Sequence, residues 1–143
     1  MSTEDVVQEA PEQEVEENAA DPSREIANAL AKFAGAPTKE VIEGWKQEHG
    51  DIFCSGFSEK ELLIWRPLRR QEFIELQTKL AQEQGTQMDQ EQEVVTTCVL
   101  WASDDARKAL VQKAGSYPTI HEQIMFNSNF VDPRVASALV IKL

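Results

Sequence analysis

Apolar positions recur at helical spacing through most of the chain, and one stretch interrupts that rhythm with a dense run of β-favouring residues. After Asp21-Pro22-Ser23, which supplies a cap and a proline at a first helical position, Ile26, Leu30, Phe33 and Ala34 predict an amphipathic helix closed by Gly35. Thr38 as a cap, with Val41, Ile42 and Trp45 on one face, predicts a second short helix ending at His49-Gly50. Ile52-Phe53-Cys54 and Leu62-Leu63-Ile64-Trp65 then flank the turn-forming Ser55-Gly56-Phe57-Ser58-Glu59, which predicts a β-hairpin at about residues 51–66. Pro67 has no amide donor to continue strand pairing. Leu68-Arg69-Arg70 therefore leads into a helix whose apolar positions are Phe73, Ile74, Leu76 and Leu80.

The second half is read the same way. Residues 82–93 are rich in Gln and Glu and are interrupted by Gly85 and Thr86, so a flexible connection is expected there. Residues 94–101 are ambiguous: their β-branched content favours a strand, whereas Val94, Val95, Cys98 and Trp101 share a helical face, and helix is the expectation. Ser103-Asp104-Asp105 opens a helix that turns Ala109 and Leu110 inward, with Gly115 as its C-cap. Ser116-Tyr117-Pro118-Thr119 begins another, carrying Ile120, Ile124 and Met125, and Asn127-Ser128-Asn129 unwinds it. Asp132-Pro133 starts a last helix with Val135, Leu139, Val140 and Leu143, apolar enough to dock on the core or on a partner.

The expected class is α+β: a mainly α-helical single domain over residues 22–143 with one β-hairpin, preceded by a disordered acidic tail over residues 1–21. Charge supports that division. The first 21 residues hold eight acids and no Lys or Arg, so a net charge of −11 becomes −3 once this −8 is subtracted. Such a segment buries too little apolar surface to offset the entropy of ordering. An acidic chain without a compact basic face repels phosphate backbones and anionic lipid, so neither nucleic acid nor membrane is an expected partner. Neither a signal-peptide pattern nor an apolar run of membrane-spanning length occurs, and a cytoplasmic location is expected.

Candidate chemistry is sparse. His49 and His121 are the only histidines, and neither has metal-ligand spacing with the other or with Cys54 and Cys98. Nothing beside Cys98 lowers its pKa for a nucleophilic role with His121. The glycines form neither a dinucleotide fingerprint nor a phosphate loop. No catalytic, cofactor-binding or metal-binding residue is expected. The one concentrated positive feature is Arg66, Arg69 and Arg70 beside Trp65, which reads either as a solvated helix start or as a dock for an acidic segment, on a partner or in the tail. Trp45, Trp65 and Trp101 read either as core or as exposed anchors.

Taken together, Trp45-Lys46, His49-Gly50-Asp51-Ile52-Phe53, the run Leu63-Ile64-Trp65-Arg66-Pro67-Leu68-Arg69-Arg70-Gln71-Glu72-Phe73, and Cys98-Val99-Leu100-Trp101 resemble the small tail assembly chaperones of tailed bacteriophages. Ala114-Gly115-Ser116-Tyr117-Pro118-Thr119 matches that family's later loop and proline-introduced helix, and the resemblance spans about residues 39–128. Arg69-Arg70 replaces the family's commoner Thr-Arg type of step, and the acidic tail and first helix lie outside the shared pattern.

The resemblance implies a non-enzymatic assembly factor in the host cytoplasm. Its expected partner is an aggregation-prone phage tail protein, the tape-measure protein or a baseplate or hub component. Client helices would lie in an apolar groove between hairpin and helices. Trp65 and Arg66 are the expected contact anchors, with Arg69, Arg70 and Trp45 around them and Phe73 and Leu76 as supporting core. Self-association is left open by the sequence. The competing readings are a permanent small subunit of the baseplate or tail, and an acidic inhibitor that mimics nucleic acid.

Overall fold

The computed structural model describes residues 22–143. The expected acidic tail, residues 1–21, lies outside them. By compactness the chain divides between Ala36 and Pro37. The first unit contributes one described helix, α1 (Pro22–Lys32), beginning at the proline as anticipated.

The second unit starts with α2 (Lys39–His49), where the Thr38 hydroxyl accepts from the Val41 amide at 3.3 Å. Gly50 ends it at φ 85°, a backbone region that favours glycine. The hairpin follows as β1 (Phe53–Ser58) and β2 (Glu61–Trp65). Its turn is tighter than the expected Ser55–Glu59 loop, because pairing continues through Gly56 opposite Leu62 and then, across a bulge, Ser58 opposite Glu61. A side chain at Gly56 would come within 2.5 Å of the Glu61 carbonyl, so glycine permits this close approach.

β2 is the centre of a three-stranded antiparallel sheet, order β1-β2-β3. Leu62, Leu63, Ile64 and Trp65 are all buried, so both faces of β2 are covered. That is why the strand reads as a continuous apolar run rather than an alternation. The third strand corrects the expectation of a lone hairpin. Residues 94–101 are neither all helix nor all strand: α4 (Gln87–Cys98) ends at Cys98, and β3 (Val99–Ala102) begins at the next residue. The Val99 amide still donates to Val95, the Arg66 amide donates to the Cys98 carbonyl at 3.1 Å, and Ala102 then pairs with Leu63. Burial of Val94 and Val95 outweighs their β-branched preference against helix.

Between the sheet strands lie α3 (Arg70–Glu83) and α4. The expected flexible connection over 82–93 is corrected to three residues, 84–86. Thr86 and Asp89 form a reciprocal cap, with the Asp89 amide donating to the Thr86 hydroxyl at 3.3 Å and the Thr86 amide to the Asp89 carboxylate at 2.8 Å. This cap starts α4 inside the Gln-rich run.

α5 (Asp104–Gln112) is capped by Ser103 as expected, but it ends before Gly115, which instead precedes α6 (Ser116–Asn127). The buried Ser103 hydroxyl accepts from the Leu62 and Ala106 amides at 3.1 and 3.2 Å and donates to the Lys60 carbonyl at 2.7 Å. It ties the helix start to the beginning of β2. The core joins Leu63 and Trp65 to Leu76 and Leu80 of α3, Val94, Val95 and Cys98 of α4, and Ile120 and Ile124 of α6. The last helix, α7 (Pro133–Ser137), has the anticipated Asp132 cap, whose carboxylate accepts from the Arg134 amide at 2.7 Å. It is one turn rather than the expected longer helix. Leu139, Val140, Ile141 and Leu143 follow it and are exposed, so this segment does not dock on the core.

Candidate functional site

The expected anchor cluster sits where β2 leaves the sheet. Trp65 is only 2% exposed; its ring stacks on Phe53 at 4.8 Å between centroids, and its indole N–H donates to the Ser55 hydroxyl at 2.9 Å. Arg66 is 8% exposed, and its guanidinium donates to both oxygens of Glu72 at 2.8 and 2.7 Å. Further bonds run to the Pro67 carbonyl at 3.1 Å and the Thr97 carbonyl at 3.3 Å. One arginine therefore joins the strand exit, the first turn of α3 and the end of α4.

Glu72 serves two partners, since its carboxylate also accepts from the Arg69 amide at 3.0 Å. The bonds from Arg66 hold the Glu72 carboxyl below its ordinary value of 4.5, against the opposing effect of burial. The same pair holds Arg66 above its ordinary range. This is a charge-assisted, bidentate structural clamp.

Trp65 and Arg66 are accordingly corrected from contact anchors to core, because their polar atoms are satisfied internally and their surfaces are covered. Arg69 is exposed, but its guanidinium donates to the Glu48 carbonyl at 3.2 Å and lies 3.3 Å from His49 Nδ1, fastening the C-terminus of α2. Arg70 is exposed on the first residue of α3 and has no ion-pair partner among the described residues. Trp45 is half-buried on α2, and Trp101 is half-buried on β3. Leu76 is core and Phe73 packs against it, as the sequence implied.

The exposed apolar surface lies elsewhere. Beyond α6 the chain turns at Asn129, with φ 70°, and the Phe130 amide returns to the Met125 carbonyl at 3.0 Å. Ser128 fixes this corner: its hydroxyl donates to the Ile124 carbonyl at 2.7 Å and accepts from the Leu68 amide at 2.8 Å. Phe130 also meets Phe73 of α3, with ring centroids 4.9 Å apart. The corner encloses an open groove of about 690 Å³ between α6 and α7, with Met125, Phe126, Phe130, Val131 and Val135 as its apolar lining. Phe126 is 64% exposed and Val135 58%.

Glu122 and Asp132 give the groove an acidic rim, and among the described residues no Lys or Arg lines it. Gln123 Oε1, also in the lining, is buried without a hydrogen-bond partner among the described residues. An unmet buried acceptor costs about 1–3 kcal/mol. Sequence reasoning missed this site. Its signal was the close succession of Phe126, Phe130, Val131 and Val135 around a cap-plus-proline helix start.

Reactive groups are quiet. Burial pushes the Cys98 thiol up to about 12 and the Cys54 thiol up to about 11, so both are protonated near neutrality. Burial lowers His121, whose ring lies 3.4 Å from the Gln90 amide. Among the described residues no group of three or more His, Cys, Asp or Glu could hold a metal ion. No described helix is long and apolar enough to cross a membrane. No protein-family model, curated protein or solved structure matches this chain.

Proposed function

We propose that this chain is a non-enzymatic assembly chaperone of the phage-tail type, which holds an aggregation-prone tail component in the α6–α7 groove. The observation that carries the reading is the groove itself, an open, acidic-rimmed cleft of about 690 Å³ beside exposed Phe126 and Val135. Contiguous exposed apolar surface rimmed by polar groups is the physical mark of a protein-binding site. An amphipathic helix seats its apolar face in such a groove through side chains spaced one turn apart.

The resemblance over residues 39–128 supplies the class of client: the long helical tape-measure protein, or a baseplate or hub component. Binding covers apolar client helices until assembly, and the net charge of −11 keeps the complex dispersed. The Trp65–Arg66 region contributes indirectly. It fixes α3, against which Phe130 rests, and so sets one wall of the groove.

Co-expression with the candidate tape-measure protein tests the reading. The client should be soluble and co-purify with this chain at moderate salt, and should be insoluble without it. A client equally insoluble in both cases, or equally soluble in both, refutes the proposal.

A further inference from the structure

We propose that His121, Gln90 and Gln77 form a proton-operated relay across α6, α4 and α3, whose hydrogen-bond direction reverses when His121 is protonated. The relay belongs to the isolated chain, and only its consequence for a client rests on the client reading.

Three half-buried side chains from three helices meet in series. The Gln77 amide nitrogen donates to Gln90 Oε1 at 3.0 Å, and Gln90 Nε2 lies 3.4 Å from His121 Nε2. A carboxamide has one donor end and one acceptor end, so two amides and a ring nitrogen in a row have only two consistent directions. With Gln90 Oε1 taken by Gln77, the donor end of Gln90 faces the ring. His121 Nε2 is therefore the acceptor, and the neutral ring carries its proton on Nδ1.

A proton arriving from solvent adds an N–H at Nε2, opposite the Gln90 donor. Two donors cannot share that contact. Gln90 turns its oxygen to the ring and its nitrogen to Gln77, and Gln77 turns in its own right to accept. Both directions satisfy every group in the row, so the pair of states is a switch rather than a break. The charge state of α6 is thereby registered on α3.

Burial holds His121 below its ordinary value of 6.5, against the opposing effects of Glu91 on α4 and Glu122 on its own helix. Among the described residues α3 and α5 place no charge that acts on it, and Asp132, ahead of α7, shares the groove lining. With the folded value lowered, the folded chain takes the proton less readily than the unfolded one, and stability falls as pH drops through 6.5. The two ends of the relay open on different cavities. His121 lines the α6–α7 groove, whereas Gln77 and Gln90 line a pocket of about 330 Å³ between α3 and α4. Protonation gives the groove lining, which holds no Lys or Arg among the described residues, a cation and turns an amide at the other pocket.

Nitrogen-15 NMR of the full chain from about pH 8 to about pH 4.5 tests this, across the range where histidine titrates. At the upper end the His121 ring should be protonated on Nδ1 and bare at Nε2. On acidification Nε2 should gain its proton with a midpoint below 6.5, and the side-chain amide signals of both Gln90 and Gln77 should shift at that same midpoint. Gln77 has no hydrogen bond to the ring, so it reports the relay. Its response should vanish in Gln90→Leu and in His121→Gln, and the latter decides alone if Gln90→Leu fails to fold. A neutral ring protonated on Nε2, a Gln77 signal indifferent to the His121 midpoint, or a Gln77 response that survives His121→Gln would each overturn the proposal. Failure of the relay leaves the client reading standing, because the groove exists without it, and a client that does not bind leaves these signals unchanged.

Discussion

Glu72→Gln separates a structural clamp from a partner anchor at Arg66. The substitution removes the carboxylate that receives two guanidinium bonds, at 2.8 and 2.7 Å, and that also accepts from the Arg69 amide. Arg66 stays 8% exposed and charged, with only the Pro67 and Thr97 carbonyls as its other partners. Removing one member of a buried ion pair costs about 3–5 kcal/mol, because the other charge is left without compensation. The Glu72 side chain is 25% exposed, so solvent relieves part of that penalty. A loss of about 2–3 kcal/mol is expected after this screening.

Urea unfolding followed by tryptophan fluorescence reads the loss directly. With a slope of about 1–3 kcal/mol per molar, the midpoint should fall by about 0.7–3 M while the slope is unchanged. The double variant Arg66→Met with Glu72→Met should recover most of it, since apolar replacement of both charges leaves no orphan. A Glu72→Gln midpoint within about 0.3 M of wild type would refute the clamp, being smaller than any buried-charge penalty. A double variant as unstable as the single one would show that shape rather than charge was lost.

Three further outcomes follow from the geometry. The Glu72 carboxyl is held below its ordinary value of 4.5 in the folded chain, so its stabilising contribution is complete above about pH 4.5 and is lost as pH falls through the lower folded value. Urea midpoints measured across pH 2–7 should therefore converge for wild type and Glu72→Gln at the acid end, and a constant gap would contradict the assignment. Thr86→Ala should cost about 1 kcal/mol by removing the cap that starts α4, whereas Gln87→Ala should be neutral by the same assay. Cys54 and Cys98, with pKa values raised to about 11 and about 12, should resist a thiol reagent at pH 8 in the native state and react once the chain is unfolded in urea. Rapid native labelling of Cys98 would show that its burial is wrong.

Local chemistry made much of the fold legible. Pro67 ended strand pairing, Thr38, Ser103 and Asp132 capped their helices, and the run from Leu62 to Trp65 read as a strand because burial on both faces removes alternation. What failed depended on long-range packing. Val94 and Val95 are helical because they fill the core, and Val99 turns to strand because β2 offers an edge beside it. The cap made by Thr86 and Asp89 was readable, but the surrounding Gln and Glu obscured it as low complexity.

The candidate site shows the same limit more sharply. Trp65 and Arg66 have the composition of an anchor, yet whether a tryptophan and an arginine face solvent is decided by Ser55, Glu72 and Thr97, which are distant in sequence or lie across a turn. The groove was invisible for the converse reason. Phe126 and Phe130 belong to different local structures, and only the Asn129 turn and the Phe73 contact bring them to one cleft.

Binding of the purified chain to an immobilised tape-measure protein fragment, compared across two surface variants of equal stability, tests the central claim most directly. The groove variant Phe126→Asp with Val135→Asp should lose at least about 2 kcal/mol of binding, roughly thirtyfold in affinity, as for buried anchor residues. Arg70→Ala, at the margin of the Trp65–Arg66 cluster, should bind as wild type. Unchanged binding by the groove variant, or loss confined to Arg70→Ala, would contradict the account.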